Sequence, residues 1–109
     1  MALIVHSLVL DVIAAVRPLI PRISRQDRSL ATQLRRALSS AALNIGEAEY
    51  SDPGNRRARF FSAAGSANET RTGLEAAIAW GYVTAEQTAA AMQPLDRAIG
   101  MLWSLSRGR

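Results

Sequence analysis

The sequence predicts an all-α protein folded as an antiparallel, up-down-up-down four-helix bundle. Three observations point there. Twenty of the 109 residues are alanine against six aromatics, and alanine is the best helix former and a poor strand former. Four stretches carry apolar residues at steps of three and four, the spacing that lines one face of a helix. The breakers between them are short, and short connections between long helices force antiparallel neighbours. At 11.8 kDa the chain reads as one domain over residues 1–109, long enough to bury a core without covalent staples.

The first stretch covers residues 2–23. Leu8, Val9, Val12, Ile13, Val16, Leu19, Ile20 and Ile23 form a stripe wide enough for burial on more than one side. Pro18 and Pro21 interrupt it, because an interior proline removes a helical hydrogen bond and crowds the preceding turn. A kink or an early end near residues 16–20 is expected. His6 and Asp11 break the apolar run and no Lys or Arg precedes it. It therefore reads as a buried amphipathic helix, too short for a membrane span and unlike a signal peptide.

Residues 24–29 read as a loop, with Asp27 or Ser29 as cap for a second helix reaching about residue 49. Leu34, Leu38, Ala41, Ile45 and Ala48 are its seam. Beside them Gln33, Arg36, Ser40, Asn44 and Glu47 form a polar row with the same steps. Residues 51–55 are a turn, with Asp52 or Asn55 as cap and Pro53 suited to a first helical position. The third helix is expected over 56–80, with Phe60, Ala64, Ala67, Leu74 and Ile78 inside and Arg71 interrupting the seam. Its neighbouring row is Ser62, Ser66, Glu69, Gly73 and Ala76. Gly81 ends it, and Thr84-Ala85-Glu86-Gln87 reads as a capping box opening the fourth helix. There Thr88, Met92, Leu95, Ile99, Leu102 and Leu105 or Ser106 supply the seam, and Pro94 is expected to bend it locally.

The net charge is +4, and all thirteen basic residues are arginine. Arginine's planar fork binds phosphate and carboxylate in a bidentate manner. The topology gathers Arg17, Arg22, Arg25, Arg28 and Arg35 toward one end, and Arg56, Arg57, Arg59, Arg107 and Arg109 toward the other. Each cluster suits phosphate oxygens; the alternative is a set of solvated helix-end charges. Trp80, Tyr82 and Trp103 either stack on bases or pack at helix ends. Catalytic and cofactor signatures are absent. His6 is the lone histidine, no cysteine exists, and the glycines lack phosphate-loop spacing. No catalytic residue, metal or cofactor is expected. With no cysteine to bridge, a reducing cytoplasm is the simplest location.

The paired polar rows require partners if covered, because a buried polar group is costly unless it is hydrogen-bonded. Gln33, Arg36, Ser40, Asn44 and Glu47 facing Ser66 and Glu69 are expected to form an internal network or part of a subunit interface; the alternative is a face that simply looks at water.

Gln33-Leu34-Arg35-Arg36-Ala37, followed by Ser40 and by Asn44-Ile45-Gly46-Glu47, resembles the signature of the bacterial four helix bundle protein family. That family includes proteins encoded by intervening sequences within large-subunit ribosomal RNA genes. Ala64-Gly65-Ser66 with Glu69, and Gly81-Tyr82, extend the likeness, which covers about residues 27–106. One departure is Ala48, where the family's usual glycine follows the glutamate, so the second helix is expected to run on towards Tyr50. The resemblance implies a homo-oligomer, a pentamer in particular. It also implies kinship with the accessory variability determinant of diversity-generating retroelements, a similar basic bundle that binds nucleic acid and a reverse transcriptase. The resulting expectation is a non-enzymatic oligomeric adaptor that binds RNA or DNA through Arg22, Arg25, Arg28, Arg35, Arg56, Arg57 and Arg59. Its rival is a purely structural or protein-binding homo-oligomer.

Overall fold

The structure is a computed structural model that describes residues 2–108, with side chains from residue 4 onward. Its first arm comprises α1 (Ala2–Val16), a 3₁₀ turn (Arg17–Leu19) and α2 (Ile20–Gln26). Pro18 and Pro21 each fall in the opening positions of a new segment, where a missing N–H leaves no helical acceptor unmatched. The expected kink is this 3₁₀ turn. Across it the buried residues Val5, Val9, Val12, Val16, Leu19 and Ile23 keep their alternation of four and three, so the prolines bend the arm without breaking its core face.

The connection expected over residues 24–29 is instead a single residue. Asp27, extended at φ −155°, donates its N–H to Ile23 O at 2.7 Å to close α2, and its carboxylate accepts Leu30 N–H at 2.9 Å to open α3 (Arg28–Ala48). One residue thus serves both helices, because the cap's extended backbone and side-chain acceptor are all a tight reversal needs. α3 stops at Ala48, which is fully buried, and Tyr50 lies in the following turn. The replacement of glycine by alanine there does not carry the helix on to Tyr50.

α4 (Pro53–Ala79) begins earlier than expected. Asp52 caps it by accepting from Asn55 N at 3.1 Å and Asn55 Nδ2 at 2.7 Å. These bonds, the backbone one foremost, hold the Asp52 carboxyl below its ordinary pKa. At the far end Gly81, at φ +81°, closes a Schellman motif: Tyr82 N–H donates to Ala77 O and Gly81 N–H to Ile78 O, each at 2.9 Å. α5 (Ala85–Ser106) opens with the expected capping box, Gln87 N to Thr84 Oγ1 at 3.1 Å and Thr84 N to Gln87 Oε1 at 2.9 Å. It runs unbroken past Pro94.

The arms close a ring in which α1 packs on α3 and α5, α3 on α4, and α4 on α5. The antiparallel sense is visible in the cross-links. Ser66 pairs with Ser40 while Arg59 pairs with Glu47, equally far on either side of Pro53. The bundle measures 42 × 22 × 19 Å. Its centre differs from the expected seams in one consistent way. Ala63, Thr70 and Ala77 of α4 and Ala91 and Ala98 of α5 are buried, whereas Ile78, Met92 and Ile99 sit half-buried at the flanks. Thr70, not Arg71, takes the disputed step. Its hydroxyl donates to Ser66 O at 3.0 Å, which lets a polar residue sit inside. Arg71 points outward to pair with Asp96 at 2.8 Å. Small residues at the contact bring the axes close. A methyl at Gly73 would lie 2.7 Å from Leu34 Cδ2.

The length argument against a membrane span is corrected by the same arm. Because the helix continues through the prolines, residues Ile4–Gln26 form a 23-residue stretch long and apolar enough to cross a bilayer by composition. In the fold its valine edge is core, with Val5, Val9 and Val12 fully buried.

Candidate nucleic-acid interface

The middle of the α3–α4 contact holds a hydrogen-bonded polar chain. Ser66 Oγ donates to Ser40 Oγ at 3.0 Å, Asn44 Nδ2 donates to Ser40 O at 2.9 Å, and Arg59 reaches Asn44 Oδ1 at 3.4 Å and Glu47 Oε2 at 2.7 Å. Ser40, Asn44, Glu47 and Ser66 of the expected network are therefore joined. Gln33, Arg36 and Glu69 are not. All three are exposed; Gln33 donates to Ser29 Oγ at 3.2 Å on its own helix, and it shares with Glu69 the rim of a groove beside Gly73. The reason is local. Where Gly73 meets Leu34 the contact is apolar and tight, which leaves Gln33 and Glu69 at its rim and no polar partner between the helices there. No buried side-chain N or O lacks a partner among the described residues.

Arg59 belongs to this brace. Sequence reasoning placed it among the anion-binding candidates, and the signal that it is engaged is the mirror relation about Pro53, which sets residue 59 opposite residue 47. Among its neighbours, Arg56 lies over the Phe60 ring at 5.7 Å, and Arg57 is exposed. Arg109 lies outside the described residues.

The other cluster is different in kind. Between Val12 and Gly46 the chain has six arginines, Arg17, Arg22, Arg25, Arg28, Arg35 and Arg36, and one acid, Asp27. That segment carries +5, and the rest of the protein −1. The fold lays the segment out as α2 packed against α3, and all six arginines are exposed. None of them takes part in an ion pair among the described residues, where the pairs found are Arg59–Glu47 and Arg71–Asp96. The single acid is already used: one Asp27 oxygen caps α3 and the other accepts the Tyr82 hydroxyl at 3.2 Å. Arg17 and Arg35 also flank a cleft of about 270 Å³ floored by Ile13, Val16, Ile20 and Leu38. Nothing in this arrangement assembles a nucleophile with a base. No group of three or more His, Cys, Asp or Glu lies together among the described residues.

Residues 5–104 match the family model described as the 23S rRNA-intervening sequence protein. The chain belongs to that family. The match takes in the first arm as well as the motifs of α3 and α4, and so extends the likeness beyond residues 27–106. The 23S rRNA-intervening sequence protein fold also appears in a crystal structure of a protein of unknown function from the S23 ribosomal protein family of Bacteroides thetaiotaomicron VPI-5482. The two superpose with a TM-score of 0.84 at 24% identity, over 94% of this chain and 97% of that one. No curated protein matches the chain.

The three aromatic candidates separate cleanly. Trp103 is half-buried and meets Phe61 edge to face at 5.4 Å. Tyr82 is half-buried. Burial first, and then the Asp27 carboxylate that its proton faces, raises its pKa above the ordinary 10.0. Trp80 is 72% exposed.

Proposed function

We propose that this member of the 23S rRNA-intervening sequence protein family is a non-enzymatic, oligomeric, cytoplasmic adaptor that binds nucleic acid through the arginines of α2 and the first half of α3. The observation that carries the reading is the partition of charge. An excess of +5 within residues 12–46, with its one acid engaged in capping, is a patch that releases counterions when it meets a polyanion. The family's name ties its members to an intervening sequence of 23S rRNA, which makes RNA the first probe.

The test is an anisotropy titration of labelled RNA. With four phosphate contacts on a single strand, raising salt from 50 to 200 mM weakens binding about 50-fold. A flat response rejects the reading.

The second reading, a structural homo-oligomer, draws on another observation. Along α1, Ile4 and Leu10 are each 48% exposed, one on either flank of the helix's outer side, and exposed apolar side chains of this kind are what self-association covers. A pentamer is the assembly we propose. Light scattering then gives five times 11.8 kDa for the wild type and a fall toward the single-chain mass for Leu10→Arg, whose exposed side chain tolerates the change in the isolated chain. A wild-type oligomer that binds no nucleic acid at any salt favours the second reading over the first.

A further inference from the structure

Trp80, 72% exposed, is the most exposed large hydrophobic among the described residues apart from Tyr50, yet its ring has a packing partner. One face of its ring stacks on Tyr82, with centroids 6.4 Å apart and planes 13° from parallel. The hydroxyl of Tyr82 is in turn fixed by Asp27, the residue that joins α2 to α3. The Schellman motif at Gly81 fixes the backbone between the two rings. Trp80 therefore presents a flat, pre-oriented aromatic face, and the Tyr82–Asp27 bond ties that face to the helix junction flanked by Arg25 and Arg28. The acids of this end are Asp27, whose two oxygens are both engaged, and Glu75 and Glu86 on α4 and α5. Exposing an indole costs free energy, and the junction to which the platform is tied carries Arg25 and Arg28, two residues and one residue from Asp27 in the chain. An aromatic face tied to a junction that bears guanidinium groups matches a π-face linked to a phosphate. That combination belongs to an unpaired nucleotide: in a duplex the base faces are covered by stacking, whereas a single strand offers them.

We propose that Trp80, stacked on Tyr82, is a base-stacking platform that gives the α2–α3 arginine face a preference for unpaired nucleotides over duplex. The proposal rests on the nucleic-acid reading above and adds the strand state of the ligand. Stacking on one aromatic side chain contributes about 1–3 kcal/mol per base, or roughly 5- to 150-fold in affinity.

The experiment titrates wild type, Trp80→Ala and Trp80→Phe with a labelled 12-nucleotide oligouridylate and with a 12-base-pair RNA duplex at one salt concentration, with light scattering on each protein. Trp80→Ala is expected to lose roughly 5- to 150-fold on the single strand and less than about twofold on the duplex, while Trp80→Phe keeps most single-strand affinity and all three proteins share one mass. Equal loss on both probes, or no loss on either, overturns the platform and leaves the arginine reading standing, since wild type still binds. A drop in mass for Trp80→Ala overturns it too, by making Trp80 a subunit contact. Wild type that binds neither probe removes the nucleic-acid reading itself and the platform with it.

Discussion

Phe60→Ala is expected to remove about 3–5 kcal/mol of stability, because truncating a buried aromatic forfeits its transfer energy and leaves a cavity that tight packing cannot collapse. Phe60 is 1% exposed and heads the largest fully buried side chains. Arg56 over its ring adds a smaller loss. Native domains of this size hold only about 5–15 kcal/mol in total, so the variant unfolds at a urea concentration lower by roughly 2 M. The adjacent Phe61 is the control. It is 60% exposed and makes one edge contact, with Trp103, so Phe61→Ala is expected to lose about 1 kcal/mol or less. Equal urea midpoints for the two variants would contradict the assignment of the α4 core face.

The helices and their caps were legible in the sequence because their signals are local. Asp52-Pro53, Gly81 and the Thr84–Gln87 box each act within one turn, and each appears at its expected place. What was misread depends on distance between helices. Reading large residues as core put Ile78, Met92 and Ile99 inside, but they sit half-buried at the flanks while Ala63, Thr70, Ala77, Ala91 and Ala98 take the centre; on the α3 side of α4 the close approach at Gly73 leaves room for small residues alone. The loop at residues 24–29 was misread because Ser24, Arg25 and Gln26 are polar. They are the solvent side of α2, and Asp27 alone makes the turn.

The polar rows split for the same reason. Ser40, Asn44, Glu47 and Ser66 meet because residues 40 and 66 mirror each other about Pro53, a relation that needs the true start of α4. Arg36 and Glu69 lie too far round their helices to join. The charge partition required no coordinates to count. It took the fold to place α2 against α3 and to engage Asp27 with Leu30 and Tyr82, which leaves six exposed arginines on adjacent segments with their one acid occupied.

The measurement that tests those arginines most directly compares two variants by salt-dependent anisotropy: Arg22, Arg25, Arg28 and Arg35 all changed to Gln, and Arg56 and Arg57 changed to Gln. Each lost phosphate contact on a single strand lowers the slope of log affinity against log salt by about 0.7. If all four arginines of α2–α3 touch phosphate, the first variant loses about 2.8 from the slope and on the order of several hundred-fold in affinity at 0.1 M salt. The second variant keeps the wild-type slope to within about one contact. A first variant with an unchanged slope, or a second that loses as much as the first, would contradict the account.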